Sequence, residues 1–272
     1  MTAVAVPEWQ DSEPDPGPPA RRLRPHVLPG EIPPGVWRGS ELGSEVSTTL
    51  STGWKELDAQ LPGGGWPCHA ITELLAPQPG VVEWRVLGGL LRQVVAQDGQ
   101  VVLVGPPKDP HLPGLVHAGA DARHLVWIRA DTPAERLWVT EQMIKSNAAG
   151  AVVAWLPQAR QEQIRRLHVC ALACGAPVFL CRPEAARHES SAAPLRAHVS
   201  YGLDWELRVD LFKRRGPTLD APLRLPSIPG GLDSVLTPRL LQPSLLLKRL
   251  ETSDAVGSPA SRRAAGRQLA VH

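Results

Sequence analysis

The chain has 272 residues, 43% of them apolar, which is enough for one large domain or two small ones with a sizeable core. A formal net charge of +2 excludes a strong general attraction to nucleic acid, so any such contact must come from a local patch. Four cysteines, an acidic Pro-rich start and no apolar run near the ~20 residues of a bilayer span lead to the expectation of a soluble cytoplasmic protein with reduced thiols and no membrane partner.

Residues 1–46 are rich in Pro and have too few regularly spaced apolar residues to bury a face. They read as an extended, partly disordered arm with Trp37 as its one large anchor. A core is expected over 47–230. Within it, 69–76 (HAITELLA) reads as a strand, and 81–97 as a helix with Val86, Leu87, Leu90, Leu91, Val94 and Val95 at helical spacing. Two nearly continuous apolar runs, 100–105 and 124–129, read as buried parallel strands. Asp131-Thr132-Pro133 caps a helix running to about Ala148. A strand at 150–156, a helix at 160–175 ending at Gly, and a strand at 176–182 follow. This alternation predicts an α/β fold, with a mostly parallel sheet and helices on both faces. From 203 to 226 the pattern alternates around Arg215-Gly216-Pro217, predicting an antiparallel C-terminal hairpin at the edge of the same sheet. Residues 231–272 make a C-terminal segment and a flexible basic tail.

Residues 50–77, LSTGWKELDAQLPGGGWPCHAITELLAP, carry Ser51-Thr52-Gly53, a short helix with Leu57 and Asp58, and a Gly-rich turn at Gly63–Gly65 before the first strand. This order resembles the RecA recombinase core, in which that strand ends in the Walker A loop. The resemblance runs from about 48 to 215. The whole chain, with its WELRVDLFKRRG hairpin, looks most like the ImuA family, RecA-like accessory proteins of bacterial mutagenesis cassettes that have also carried the name SulA.

An ATP site of this class needs a phosphate-neutralising Lys, a Ser or Thr for Mg²⁺, and acidic residues at neighbouring strand ends. Set on the family's loop, Ala76, Pro77, Gly80, Val82 and Glu83 form a degenerate nucleotide loop, with Val82 at the Lys position and Glu83 at the Ser/Thr position. Pro79 removes a loop amide, and Glu83 places a carboxylate by the helix N-terminus, where a triphosphate would compete with it. Trp155 marks a degenerate Walker B position, and Gly105-Pro106-Pro107 stands where the family's catalytic Glu is expected. No catalytic residue, cofactor or metal is predicted.

Other chemistry is sparse. Cys170 and Cys174 lie on a helical apolar stripe with Ile164, Leu167 and Ala171, which reads as core, and no CxxC offers a zinc spacing. His111, His117 and His124 sit near no nucleophile or carboxylate at a telling spacing. Of nine Trp, those at 127, 155 and 205 read as core on strands, and Trp54 and Trp66, flanking the Gly-rich turn, as either partly exposed or buried against the sheet. Basic groups gather at Arg21, Arg22 and Arg24, at Lys213, Arg214 and Arg215, and at Arg262, Arg263 and Arg267. The hairpin group is the candidate for a weak DNA or partner contact.

The resemblance implies a catalytically inert adaptor in SOS-induced translesion synthesis. Its implied partners are RecA and ImuB, with an error-prone polymerase reached indirectly. The alternatives are a SulA-like inhibitor of cell division and an atypical nucleotide-binding RecA-family ATPase.

Overall fold

The computed structural model describes residues 48–245, apart from 110, 118, 218, 229–231 and 233. These all belong to the second of the chain's two units, Gly43–His272. The arm over 1–46 with Trp37, the basic groups at Arg21–Arg24 and Arg262–Arg267, and the tail lie outside the described residues.

A short antiparallel pair opens the unit, β1 (Thr49–Leu50) with β2 (Trp66–Pro67), around helix α1 (Lys55–Asp58). Then come β3 (Ile71–Ala76), α2 (Val82–Ala96), β4 (Val101–Val104), α3 (Leu112–His117), β5 (Leu125–Ile128), α4 (Pro133–Ser146), β6 (Ala151–Trp155), α5 (Gln161–Ala171) and β7 (Val178–Pro183). Strands β8 (Leu195–Tyr201), β9 (Glu206–Lys213) and β10 (Leu223–Pro226) and a last short helix, α6 (Pro238–Leu241), complete it. The eight-stranded sheet has the order β10-β9-β8-β3-β7-β6-β4-β5. From β8 to β5 every pairing is parallel, and β9 and β10 each pair antiparallel with their neighbours. The chain is therefore α/β, with a mostly parallel sheet, helices on both faces and an antiparallel C-terminal hairpin, consistent with a RecA-like core.

The two faces explain why the central strands read as unbroken apolar runs. On one, Val86, Leu87, Leu90 and Leu91 of α2 pack on Leu74, Leu103, Val153 and Phe179. On the other, Ile144 of α4 and Ile164, Leu167 and Ala171 of α5 pack on Val102, Val104, Val152, Val178 and Leu180. Alternate residues of a strand point to opposite faces, so a strand covered on both sides must be apolar throughout. Local signals set the helix ends. Thr132 accepts from Glu135 N at 3.2 Å, the Glu135 carboxylate returns to the Thr132 amide at 3.1 Å, and Pro133 opens α4. Asn147, at φ 49°, ends α4 in the left-handed region, two residues before the expected end.

The Ser-Thr-Gly opening has a mechanical reason. Asp58 of α1 accepts from Thr52 N at 2.8 Å and from Ser51 Oγ at 2.6 Å, closing the loop onto its own helix. Gly53, at φ 86°, then lies against Gly89 of α2, where a Cβ would stand only 2.7 Å from the Gly89 Cα.

Several expectations are corrected. The run at 124–129 forms β5, but this is the outermost strand and is not buried, with Val126 40% and Trp127 37% exposed. The run is apolar enough for the interior, yet among the described residues no strand covers its outer edge. Trp127 is therefore not core, and Trp205 sits in a turn at φ 61°, where its Nε1 donates to Leu240 O at 2.9 Å. Of the two readings for Trp66, burial holds: it is fully buried, edge-on to Phe179. Helix α5 stops at Ala171, so Cys174 lies beyond it, buried, while Cys170 is half-buried. Strand β8 was not anticipated, because Arg196 and His198 break its apolar pattern.

Candidate functional site

The loop 76–83 leaves the C-terminal end of β3 and enters α2. Ala76 is buried at the strand end, Pro77 is exposed, and Val82 turns into the core with the rest of α2. The Val82 side chain is thus committed to packing rather than to the loop.

Glu83 decides what the loop holds. Glu83 is 1% exposed, and its carboxylate accepts from two loop amides and one indole. Gly80 N donates to both oxygens at 2.9 Å, Val81 N donates to one at 3.0 Å, and Trp155 Nε1 to the other at 3.2 Å. The expected favourable position near the helix start is therefore direct hydrogen bonding of the kind an anion receives at a helix N-terminus. Gly80 makes this possible at φ 86°, a backbone state that side chains avoid. Pro79 costs the loop one amide, but the two that follow it are used.

The flanking elements close the loop. Trp155, at the end of β6 and 2% exposed, stacks obliquely on Trp84 with ring centroids 5.4 Å apart. Trp84 Nε1 donates back to Gly80 O at 3.1 Å. Pro107, after β4, covers Gly80 so closely that a Cβ there would lie 2.7 Å from the Pro107 Cγ. Tyr201, at the end of β8, donates to Val81 O at 3.4 Å. The three segments singled out from the sequence, 76–83, Pro106-Pro107 and Trp155, therefore meet in one place.

Burial first, and the Glu83 charge second, push the Cys181 thiol well above its ordinary range. Burial also raises the Tyr201 phenol, with Glu83 adding to the rise and Arg85 opposing it. Arg85 itself is held by Ser227 Oγ at 3.2 Å.

The hairpin cations are less available than their spacing suggested. Lys213 Nζ donates to Ser191 O at 2.7 Å. Arg214 donates to Gln60 O beside α1 and to Pro217 O at 2.9 Å. Arg215 is exposed. Of the histidines, His111 Nδ1 accepts from Gly114 N at 3.2 Å and His124 Nδ1 lies 3.1 Å from Gly99 O. No group of three metal-ligating side chains occurs among the described residues, and no described helix is long and apolar enough to cross a membrane.

One constellation escaped sequence reading. Glu73, inside β3, is fully buried between Arg182 of β7, at 3.1 Å, and Arg196 of β8. Arg182 also meets Glu189 at 2.6 Å, and Arg196 donates to Ala186 O at 2.7 Å and Glu189 O at 3.0 Å. Two cations and two carboxylates offset one another, as buried charges require. The only signal for this was a charge inside each of three strands, of which β3 and β7 are otherwise largely apolar.

No family model matches the chain. It is similar to Protein ImuA of Caulobacter vibrioides, from strains NA1000 / CB15N and ATCC 19089 / CIP 103742 / CB 15. Each is 32% identical over 120 residues, covering 42% of this chain and 49% of the relative. The match thus spans about half the length of these curated relatives, and it makes the chain a distant relation of ImuA proteins.

Proposed function

We propose that the chain is a catalytically inert RecA-like adaptor in DNA damage-induced mutagenesis, acting in the cytoplasm to link RecA with an ImuB and error-prone polymerase assembly. The observation that carries the inert part is Glu83. Its carboxylate takes the loop amides that a phosphate would need, and Val82 offers no cation in its place. A nucleotide would have to displace a buried carboxylate held by three donors while bringing its own negative charge. The distant relationship to ImuA proteins supports the setting, and the named partners rest on that resemblance.

An adaptor needs surface rather than chemistry. The outer edge of β5 supplies it: among the described residues it is unpaired, and an unpaired strand edge is a template for a partner's strand. Trp127, on this strand, is a large side chain ready to anchor such a contact. Weak DNA contact through Arg215 remains secondary to protein binding.

The test is co-elution of the purified chain with RecA filaments and with ImuB, repeated with Val126→Lys on the β5 edge. Retention of the parent chain and its loss in the variant is the expected result. Elution of the parent chain without either protein would remove the adaptor reading.

A further inference from the structure

The sheet has a switch point away from the closed loop. From β4 the chain runs outward to β5, and from β6 it runs inward to β7, so neighbouring strands β4 and β6 lead in opposite directions. Crevices outside the carboxyl ends of strands at such points are where open α/β sheets bind ligands. A cleft of about 570 Å³ lies beside this one, between the starts of α4 and α5. A smaller one of about 240 Å³ adjoins it and shares Asp131 and Arg136. Neither cleft is lined by any residue of 76–84.

Leu137, Leu156 and Pro157 give the larger cleft an apolar wall, and two cations and the Asp131 carboxylate stand beside it. Arg136 is held in place, its stem against Gly105 and its Nε donating to Ala130 O at 2.7 Å. Its terminal nitrogens have no acceptor among the described residues. Arg160 is exposed, and its guanidinium is in no ion pair among the described residues. Thr132 and Gln163 already serve the starts of the two helices, so recognition falls to the guanidinia.

We infer that this cleft binds a short acidic peptide of a partner protein, one with an aliphatic residue beside its carboxylates. The carboxylates pair with Arg136 and Arg160, the form of contact for which guanidinium geometry is suited. The aliphatic side chain lies against Leu137 and Leu156, and the peptide N–H groups meet the Asp131 carboxylate. A nucleic acid fits less well, because the larger cleft presents no aromatic face for a base. The site does not depend on the adaptor reading, and its test involves neither RecA nor ImuB.

The probe is a fluorescein-labelled hexapeptide alternating glutamate and leucine, followed by fluorescence anisotropy against the full chain. Saturable binding is expected, weakened at least ~10-fold by Arg160→Glu and by Arg136→Met, which keeps the stem over Gly105. Arg224→Glu, on the opposite edge of the sheet, leaves binding unchanged and controls for general charge. The assignment is overturned if the parent chain shows no saturation up to ~1 mM. It is also overturned if Arg224→Glu weakens binding as much as Arg160→Glu. Displacement of the peptide by oligothymidylate at lower concentration than by unlabelled peptide makes the cleft a nucleic-acid site instead.

Discussion

Replacing Glu83 by Ala probes the loop most sharply. The substitution leaves Gly80 N, Val81 N and Trp155 Nε1 without their acceptor. Hydrogen bonds to a charged group contribute ~1.5–3 kcal/mol each, and an orphaned buried donor costs ~1–3 kcal/mol. The two loop amides are half-buried and regain water, whereas Trp155, 2% exposed, does not. The net loss is then ~2–4 kcal/mol, read as a lower urea midpoint at unchanged slope. If Glu83 stands in for a phosphate, free phosphate should refill the vacated space. It should stabilise Glu83→Ala by ~1.4 kcal/mol at ten times its Kd, and leave the parent protein unmoved. A variant within ~0.5 kcal/mol of the parent, or equal stabilisation of both proteins by phosphate, refutes the reasoning.

Gly89→Ala forces a methyl group onto the Gly53 backbone and should cost ~1–3 kcal/mol despite the better helix propensity of Ala, as measured by urea unfolding. Glu73→Ala leaves Arg182 and Arg196 buried without their shared carboxylate, so a loss of ~3–5 kcal/mol is expected in the same assay. Burial first, then the neighbouring Cys174, raise the Cys68 thiol to about 11. The folded state therefore holds this proton more tightly than the unfolded chain. The stability it contributes is complete below the ordinary thiol pKa of 9.0 and is lost as pH climbs toward about 11. Unfolding midpoints should fall across that window in the parent and less steeply in Cys68→Ala.

The central strands were legible because burial on both faces demands unbroken apolar runs, and α4 was legible because Thr132-Pro133 leaves few other conformations. The meeting of 76–83, Pro107 and Trp155 was half legible: chain order placed each segment at a strand end. What Glu83 does there was not, since the sequence cannot show that a Trp from 72 residues away donates to it. Strand β5 was misread for a related reason: its composition suits an interior strand, and only topology makes it the edge. The Glu73–Arg182–Arg196 network was invisible because its members lie 109 and 123 residues apart.

The central claim, that this RecA-like core has filled its phosphate site with its own carboxylate, is tested most directly by calorimetric titration with ATP and Mg²⁺. The account predicts no saturable heat and no hydrolysis for the parent protein. Saturable binding at micromolar concentration, accompanied by turnover, would contradict it.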